Sequence, residues 1–329
     1  MKNLTMEQIA NNLGVSKTTV SRVLSGKGRI SASTRERVWS YIQSSNYRTN
    51  NVAKGLATKK AYNIGLVIPR SDTASEFYPV HTILDGILEV VNTLDYNLII
   101  TVIKEYDVSE IIRLLESDKV DGLILYNSII GNEAIQYMAQ VEVPYVVIGS
   151  VLNQDVIHID YNHRIASREL TKLLLRMGKR RIAFIGGCRR DPVNNSRLAG
   201  FYDAFNELNI NICRDIIFCE SDSMIQIKKI LDYLLNTKVD AIVCMTEIIC
   251  YTVINELSHQ LNAFEKDIIV ATVNYLKLIQ DKQFSVAYIQ FDAKELGRVA
   301  CGSLFDLINK IAVQSQNFTG YEIIIRESS

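Results

Sequence analysis

No apolar run in this chain of 329 residues reaches the roughly 18 residues needed to cross a bilayer, and the N-terminus lacks the apolar core of a secretory leader. Both absences argue against a membrane or exported protein, and a cytoplasmic one is expected. Cysteines at C-x-x-C spacing are missing too. The six present (Cys188, Cys213, Cys219, Cys244, Cys250, Cys301) are scattered and mostly sit beside apolar residues, so buried free thiols are expected, not a metal or redox centre. Signatures of catalysis are equally scarce. Gly186-Gly187 follows a strand-like run, as in a nucleotide-binding turn, yet neither G-x-G-x-x-G nor a P-loop lysine motif is present. His158 and His163 lie near Asp160 with no elbow serine, which reads as core or surface histidines. An α/β enzyme is therefore the weaker reading, and no cofactor or metal is expected. The chain also lacks a net charge, with 36 basic and 36 acidic residues, but the balance is uneven along its length.

What is there begins at the N-terminus. Residues 1–60 hold eleven Lys and Arg against Glu7 and Glu36, a charge of +9, so residues 61–329 carry −9. A basic arm on an acidic body is the electrostatic footprint of a nucleic-acid binder, because neutralising phosphates supplies much of the affinity. Within that arm, Thr5 precedes Met6, Ile9, Ala10 and Leu13, an amphipathic spacing closed by Gly14. Ser16 then stands as an N-cap before Lys17-Thr18-Thr19-Val20-Ser21-Arg22-Val23-Leu24. Val20, Val23 and Leu24 fall on one face there, and Lys17, Thr18, Ser21 and Arg22 are left on the other. A third helix is expected to open at Ser33 and run toward Ser45, covering the first two with Val38, Tyr41 and Ile42. Two helices joined by a Gly turn and buttressed by a third form a helix-turn-helix, whose second helix enters the major groove of double-stranded DNA. Lys17, Thr18 and Arg22 are placed to read bases, and Thr5, Ser16, Ser21, Thr34 and Asn50 to hold phosphates.

From residue 62 the texture changes to short apolar runs alternating with helical periodicity, the mark of βα units around parallel sheets. Strands are expected at Ile64–Ile68, Leu98–Val102, Gly122–Leu125, Tyr145–Ile148, Ile157–Ile159, Ile182–Ile185, Ala241–Val243, Ile268–Ala271 and Val286–Ile289. Helices include Thr82–Leu94, Ser109–Ser117, Arg164–Met177 and Val193–Leu208. Val120-Asp121-Gly122-Leu123-Ile124-Leu125 is echoed by Val239-Asp240-Ala241-Ile242-Val243-Cys244, which suggests two similar α/β halves flanking a cleft. Ligands of such sheets bind beyond the strands' carboxyl ends, here the loops Arg70–Tyr78, Gly149–Val151, Gly187–Arg197, Thr246–Ile248 and Asn274–Tyr275. Tyr78 and its neighbour Phe77 are placed to stack on a ligand or to line the cleft wall.

These patterns resemble the lactose/galactose repressor family of bacterial transcription regulators. The likeness rests on A-x-x-x-G-V-S-x-x-T-V-S-R-V-L (Ala10 to Leu24), Ser33-Thr34-Arg35, Asn46-Tyr47, N-x-V-A-x-x-L-A (Asn50 to Ala57), Ile64-Gly65-Leu66-Val67-Ile68-Pro69, Arg197-Leu198-Ala199-Gly200-Phe201 and the closing Ile323-Ile324-Ile325-Arg326. It implies a small all-α helix-turn-helix domain (1–47), a hinge helix (48–60) and an α/β body (61–329) of two Rossmann-like, periplasmic-binding-protein-like subdomains. Those subdomains would comprise 61–160 with 291–319, and 161–290 with 320–329, with chain crossings near Asp160, Phe291 and Thr319. It further implies a homodimeric repressor of carbohydrate genes, switched by a small-molecule effector in the cleft. Leu56 would be the wedge that unstacks a base step in the minor groove, and Arg197 the arginine that holds effector hydroxyls or carboxylates. No heptad helix follows Ser329, which favours a C2 dimer over a tetramer. Catabolite-type members of the family answer to a phosphoprotein partner instead, and no surface here marks that alternative. This chain departs from the sugar-binding pattern at Thr246-Glu247, where the family has Asn-Asp, and at Asn274, where it has an aspartate. With a carboxylate lost and Arg189, Arg190 and Arg197 on the cleft side, a phosphorylated or acidic sugar is favoured over a neutral one.

Overall fold

A computed structural model describes residues 4–25, 28–45, 58, 60–70, 74–104, 107–126, 132–151, 156–189, 191–221, 223–260, 268–273 and 284–327. The chain divides into two units, Met1–Tyr62 and Asn63–Ser329.

The first unit holds helices α1 (Met6–Leu13), α2 (Lys17–Ser25) and α3 (Ala32–Ser44). Thr5 caps α1 through a reciprocal pair: its hydroxyl accepts from the Gln8 N–H at 3.2 Å, and the Gln8 side chain accepts from the Thr5 N–H at 2.9 Å. Gly14 ends the helix at φ 63°, a left-handed conformation that glycine adopts without the Cβ penalty. The Ser16 hydroxyl accepts from the Thr19 N–H at 3.0 Å and so starts α2. The third cap is Ser31, not Ser33: Ser31 has extended backbone and its hydroxyl accepts from the Thr34 N–H at 3.3 Å, which puts Ser33 inside the first turn. Ile9, Ala10, Val20, Val23, Val38 and Ile42 form the core. Because so few side chains are buried, polar ties matter: Arg37 donates to the Leu13 carbonyl at 2.9 Å, and Asn12 to the Tyr41 hydroxyl at 2.6 Å.

The second unit contains two six-stranded sheets. The first is built from β1 (Asn63–Pro69), β2 (Asn97–Ile103), β3 (Gly122–Tyr126), β4 (Tyr145–Ile148), β5 (His158–Tyr161) and β11 (Gln316–Thr319), in the order β11-β5-β4-β3-β1-β2, all parallel. The second uses β6 (Ile182–Ile185), β7 (Ile217–Phe218), β8 (Ala241–Cys244), β9 (Ile269–Thr272), β10 (Val286–Phe291) and β12 (Tyr321–Arg326), in the order β12-β10-β9-β8-β6-β7. The two orders correspond strand for strand, except that β12 runs antiparallel to β10. Strands such as Ile182-Ala183-Phe184-Ile185 and Ala241-Ile242-Val243-Cys244 are buried at every residue, which is why they read as unbroken apolar runs and not as alternation. The chain passes between the sheets three times, after Tyr161, after Phe291 and at Gly320.

The helices of this unit are α4 (Ala74–Thr93), α5 (Ser109–Glu116), α6 (Asn132–Gln140), α7 (His163–Arg176), α8 (Pro192–Glu207), α9 (Met224–Asn236), α10 (Glu247–Gln260) and α11 (Ala293–Ile308). Two pairs pack backbone against backbone. A Cβ on Gly200 of α8 would lie 2.1 Å from the Arg164 carbonyl oxygen of α7. On Gly86 of α4 and Gly297 of α11 it would lie 1.9 Å from the Lys294 oxygen and 2.0 Å from the Ile83 oxygen. Ion pairs flank both seams: Arg164 with Asp203 and Lys172 with Glu207 in one, Lys294 and Arg298 with Glu89 in the other.

Several expected loops are helical. The segment holding Tyr78 belongs to α4, which begins eight residues before the expected Thr82; Arg197 lies within α8, as the expected helix Val193–Leu208 has it, and Glu247 is the first residue of α10. The thiols also divide: Cys244, Cys250 and Cys301 are buried, Cys213 and Cys219 are partly covered, and Cys188, in the turn before α8, is exposed.

Candidate functional site

In the first unit, the α2 surface is the candidate nucleic-acid face. Val20 and Val23 are buried against α1 and α3, so Lys17, Thr18, Ser21 and Arg22 are turned outward and exposed. The first turn of α2 carries no acidic residue and begins with Lys17. A cation beside the positive end of a helix dipole is unfavourable by itself, and an incoming phosphate offsets it. The stem of Arg22 lies over Gly28, where a Cβ would meet its Cδ at 3.2 Å. Ser16 and Thr5 use their oxygens as acceptors for helix caps, and Thr34 shares a 2.7 Å hydroxyl contact with Ser31. Asn50 and Leu56 lie outside the described residues.

In the second unit, the candidate ligand site is the seam where the chain passes between the sheets. Asp160, next to last in β5, accepts from the Ser150 hydroxyl and, at 2.7 Å, from the Tyr161 N–H. Three residues on, His163 opens α7 with its Nε2 3.6 Å from Asp160 Oδ1. Its Nδ1 faces Arg197, whose Nε and Nη2 approach at 3.4 and 3.3 Å. Arginine cannot accept, so His163 Nδ1 carries the lone pair and the proton sits on Nε2, toward Asp160. Arg197 Nη1 donates to the Met245 carbonyl just after β8. A continuous polar line thus runs from Ser150 and Asp160 at the first sheet, through His163, to Arg197 and Met245 at the second.

Burial governs the charges in this line. It pushes the Arg197 guanidinium down to about 10, against the opposing pull of Asp191, Glu247 and Asp160. Burial, reinforced by the Arg197 charge, holds His163 below the ordinary histidine range despite Asp160. Its 3.6 Å contact with Asp160 is accordingly made by a neutral ring at pH 7 and is not an ion pair. For Asp160 burial acts upward, but the contacts from His163, Ser150 and the Tyr161 N–H outweigh it and hold the carboxyl below its ordinary range.

Aromatic rings enclose the line. Tyr161 stacks on Phe291 with ring centres 4.1 Å apart, and the His163 ring stands edge-on to both, at 5.8 and 5.4 Å. Tyr321 packs against Phe291 at 6.2 Å. Tyr161, Phe291 and Tyr321 are the residues flanking the three chain crossings.

Of the ligand residues expected from sequence, Arg197, Thr246 and Glu247 gather around Met245. The Thr246 hydroxyl is occupied in accepting the Ile249 N–H at 3.2 Å, and Glu247 is partly exposed. Arg189 is exposed; Tyr78 lies on α4; Asn274 and Arg190 fall outside the described residues. Asp160, His163 and Phe291 are not among the ligand residues expected from sequence, whereas Ser150 lies in the expected loop Gly149–Val151. The i, i+3 spacing of Asp160 and His163 was the available hint.

A helix-turn-helix followed by paired α/β sheets with a polar seam defines a DNA-binding transcription regulator carrying a ligand-binding body. Residues 5–50 match the family described as bacterial regulatory proteins, lacI family, and residues 61–320 match the periplasmic binding proteins and sugar binding domain of LacI family; the chain belongs to this family. It is 30% identical over 339 residues to the HTH-type transcriptional regulator RegA of Clostridium saccharobutylicum, covering 98% of each chain. It is 27% identical to the regulator MalR of Streptococcus pneumoniae over 93% of each. Among solved structures, it shares the fold of the lac repressor dimer bound to operator and the anti-inducer ONPF (TM-score 0.74, 22% identity, 99% of each chain). It also shares that of a CelR–cellobiose complex (TM-score 0.68, 20% identity, 99% of this chain and 100% of the other). Among the described residues, no helix is long and apolar enough to cross a membrane, and no cluster of potential metal ligands occurs.

Proposed function

We propose that the chain is a homodimeric repressor of carbohydrate-utilisation genes whose operator affinity is set by a sugar or sugar derivative held between the two sheets of the body. The division expected from sequence frames this reading: residues 1–47 bind the operator, 48–60 form a hinge that includes Leu56, and the halves 61–160 with 291–319 and 161–290 with 320–329 enclose the effector. Lys17, Thr18 and Arg22 meet base edges, and Thr5, Ser16, Ser21, Thr34 and Asn50 hold the backbone. Arg197 anchors the effector, with Thr246, Glu247, Arg189, Tyr78 and Asn274 around it.

The observation that carries the reading is Arg197, only 7% exposed, whose hydrogen-bond partners among the described residues are a carbonyl and a neutral ring. A buried cation without a directly bonded anion suits a ligand that brings hydroxyl pairs or an anionic group. The names of similar structures support the sugar class: one is a complex with cellobiose and another is described as a probable maltose operon transcriptional repressor. A thermal-shift panel on the full chain tests it, with maltose, cellobiose, glucose and glucose 6-phosphate as probes. At least one should raise the melting temperature, and Arg197→Met should abolish that rise. If glucose 6-phosphate acts and glucose does not, the anionic effector is supported. A panel that leaves the chain unshifted, or a rise that survives Arg197→Met, refutes the effector assignment.

A further inference from the structure

His163 occupies an uncommon place. It is the first residue of α7, immediately beyond the first crossing, and its ring touches an element from each sheet's side of the seam: Asp160 and Tyr161 of β5, Phe291 of β10 and Arg197 of α8. Its two nitrogens are used in opposite senses, one donating toward the first sheet and one accepting from the second. Leucine would fill a similar volume and do neither. Nη1 of Arg197 is tied to Met245, so the Nε/Nη2 edge, the fork that grips a paired acceptor, is aimed by His163 alone among the described residues.

We propose that His163 is a positioning residue, which orients the Arg197 guanidinium for its ligand and transmits the state of that arginine to the residues at the chain crossings. The proposal rests on the reading of Arg197 as the effector anchor, and it adds the path by which engagement of that anchor is felt at the seam. A ligand that takes the Arg197 fork competes directly with His163 Nδ1. The ring then loses its partner on the second sheet while keeping Asp160 on the first, and its edge contacts with Tyr161 and Phe291 carry the change to the crossings. Protonating His163 has the same effect by another route, because an imidazolium cannot accept from a guanidinium. The charged and titratable groups facing His163 are Asp160, Arg197, Asp191 and Tyr161.

The test needs no identified effector. In the ligand-free full chain, the Arg197 Nε–H is followed by nitrogen-edited NMR and assigned by its loss in Arg197→Lys; the four histidines are assigned by single His→Gln changes. In the wild type the Nε–H should exchange slowly, and His163 should show the Nε2–H tautomer. His163→Leu, which keeps bulk and removes the acceptor, should speed that exchange about tenfold, the worth of one net hydrogen bond. His163→Asn, which retains an acceptor near the Nδ1 position, should restore most of the protection, and this rescue separates positioning from packing. Arg197→Met should raise the His163 titration midpoint, because a neighbouring cation is removed. Thermal unfolding confirms that each variant is folded. If His163→Leu does not fold, the tautomer and the Arg197→Met shift decide alone. A wild-type Nδ1–H tautomer, an Nε–H indifferent to residue 163, or a His163 midpoint unmoved by Arg197→Met overturns the proposal while leaving Arg197 as a ligand anchor untouched. An unresponsive sugar panel alongside positive NMR results would instead refute the anchor and keep the coupling.

Discussion

Replacing Gly200 with alanine should separate helices that now touch backbone to backbone. The added Cβ would stand 2.1 Å from the Arg164 carbonyl oxygen and 3.0 Å from both the Arg164 carbon and the Arg168 nitrogen. An ordinary carbon–oxygen contact lies at about 3.3–3.6 Å, so α7 and α8 must part by about an ångström. All three obstructing atoms are backbone, and no side-chain rotation relieves the clash. Overpacking of this kind costs about 1–3 kcal/mol, against which alanine returns about 0.5–1 kcal/mol through its better helix propensity. The clash should win. Gly302 of α11 supplies the opposite case, since a Cβ there meets nothing within 4 Å, and Gly302→Ala should stabilise the chain by about 0.5–1 kcal/mol. Thermal unfolding of the full chain checks both. For a unit of this size each kcal/mol moves the midpoint by about 2–4 °C, so Gly200→Ala should lower it by several degrees and Gly302→Ala should raise it slightly. Because Arg197 lies one turn before Gly200 and faces His163 at the start of α7, Gly200→Ala should also loosen the Arg197 Nε–H. Shifts of the same sign for the two alanines would refute the geometric argument.

Acidification should cost stability in two stages. His163 titrates in the fold below its unfolded value near 6.5, so as pH falls through about 6.5 the unfolded chain takes a proton that the fold refuses, and stability declines down to the folded midpoint. Asp160, held below its ordinary value, adds stability above that value which is lost as pH falls through its depressed midpoint. Urea titrations at stepped pH should show the first stage vanish in His163→Asn; its persistence would assign it elsewhere. Alkylation with iodoacetamide followed by peptide mass mapping should mark Cys188 first and leave Cys244, Cys250 and Cys301 untouched until unfolding, burial having pushed the Cys301 thiol up to about 12. Early labelling of Cys301 would contradict the described core. Arg22→Ala should relax preference at one base pair per half-site by about 1–3 kcal/mol, and recovery of the wild-type motif in a binding-site selection would remove Arg22 from the base-reading set.

Much of the fold was legible because local and long-range preferences agree. Ser16, Val20 and Val23 specify α2 by capping and by spacing, and the buried parallel strands announce themselves as apolar runs. Where two local solutions compete, pattern fails: Ser31 and Ser33 are equally good caps by type, and only the extended backbone at Ser31 decides between them. The edge strand β11, Gln316-Asn317-Phe318-Thr319, buries a single residue and so has no apolar run to find, while β7 is two residues long. Arg197 falls where the expected loop Gly187–Arg197 overlaps the expected helix Val193–Leu208, and Asp191-Pro192 decides for the helix, since an acidic cap followed by proline at the first helical position is a start signal. The polar seam was hidden for a different reason. Only Asp160 and His163 are neighbours in sequence; Arg197 and Met245 reach them through the packing of α7 on α8 and the adjacency of β6 and β8.

That dependence bears on how the body can respond to a ligand. In each pair, α4 with α11 and α7 with α8, a glycine lets one helix backbone rest on a carbonyl of the other, and ion pairs clasp the outside. Sliding either pair would drive backbone atoms together, so these contacts resist continuous deformation. The chain crossings are built differently. Tyr161, Phe291 and Tyr321 meet there through ring faces and edges, which can exchange one arrangement for another at small cost, and a polar line across them passes through His163. Hinges in such proteins fall at the ends of elements, where few residues absorb the change. Stiff helix pairs on either side and interchangeable ring contacts between them therefore confine movement to the seam that holds Arg197.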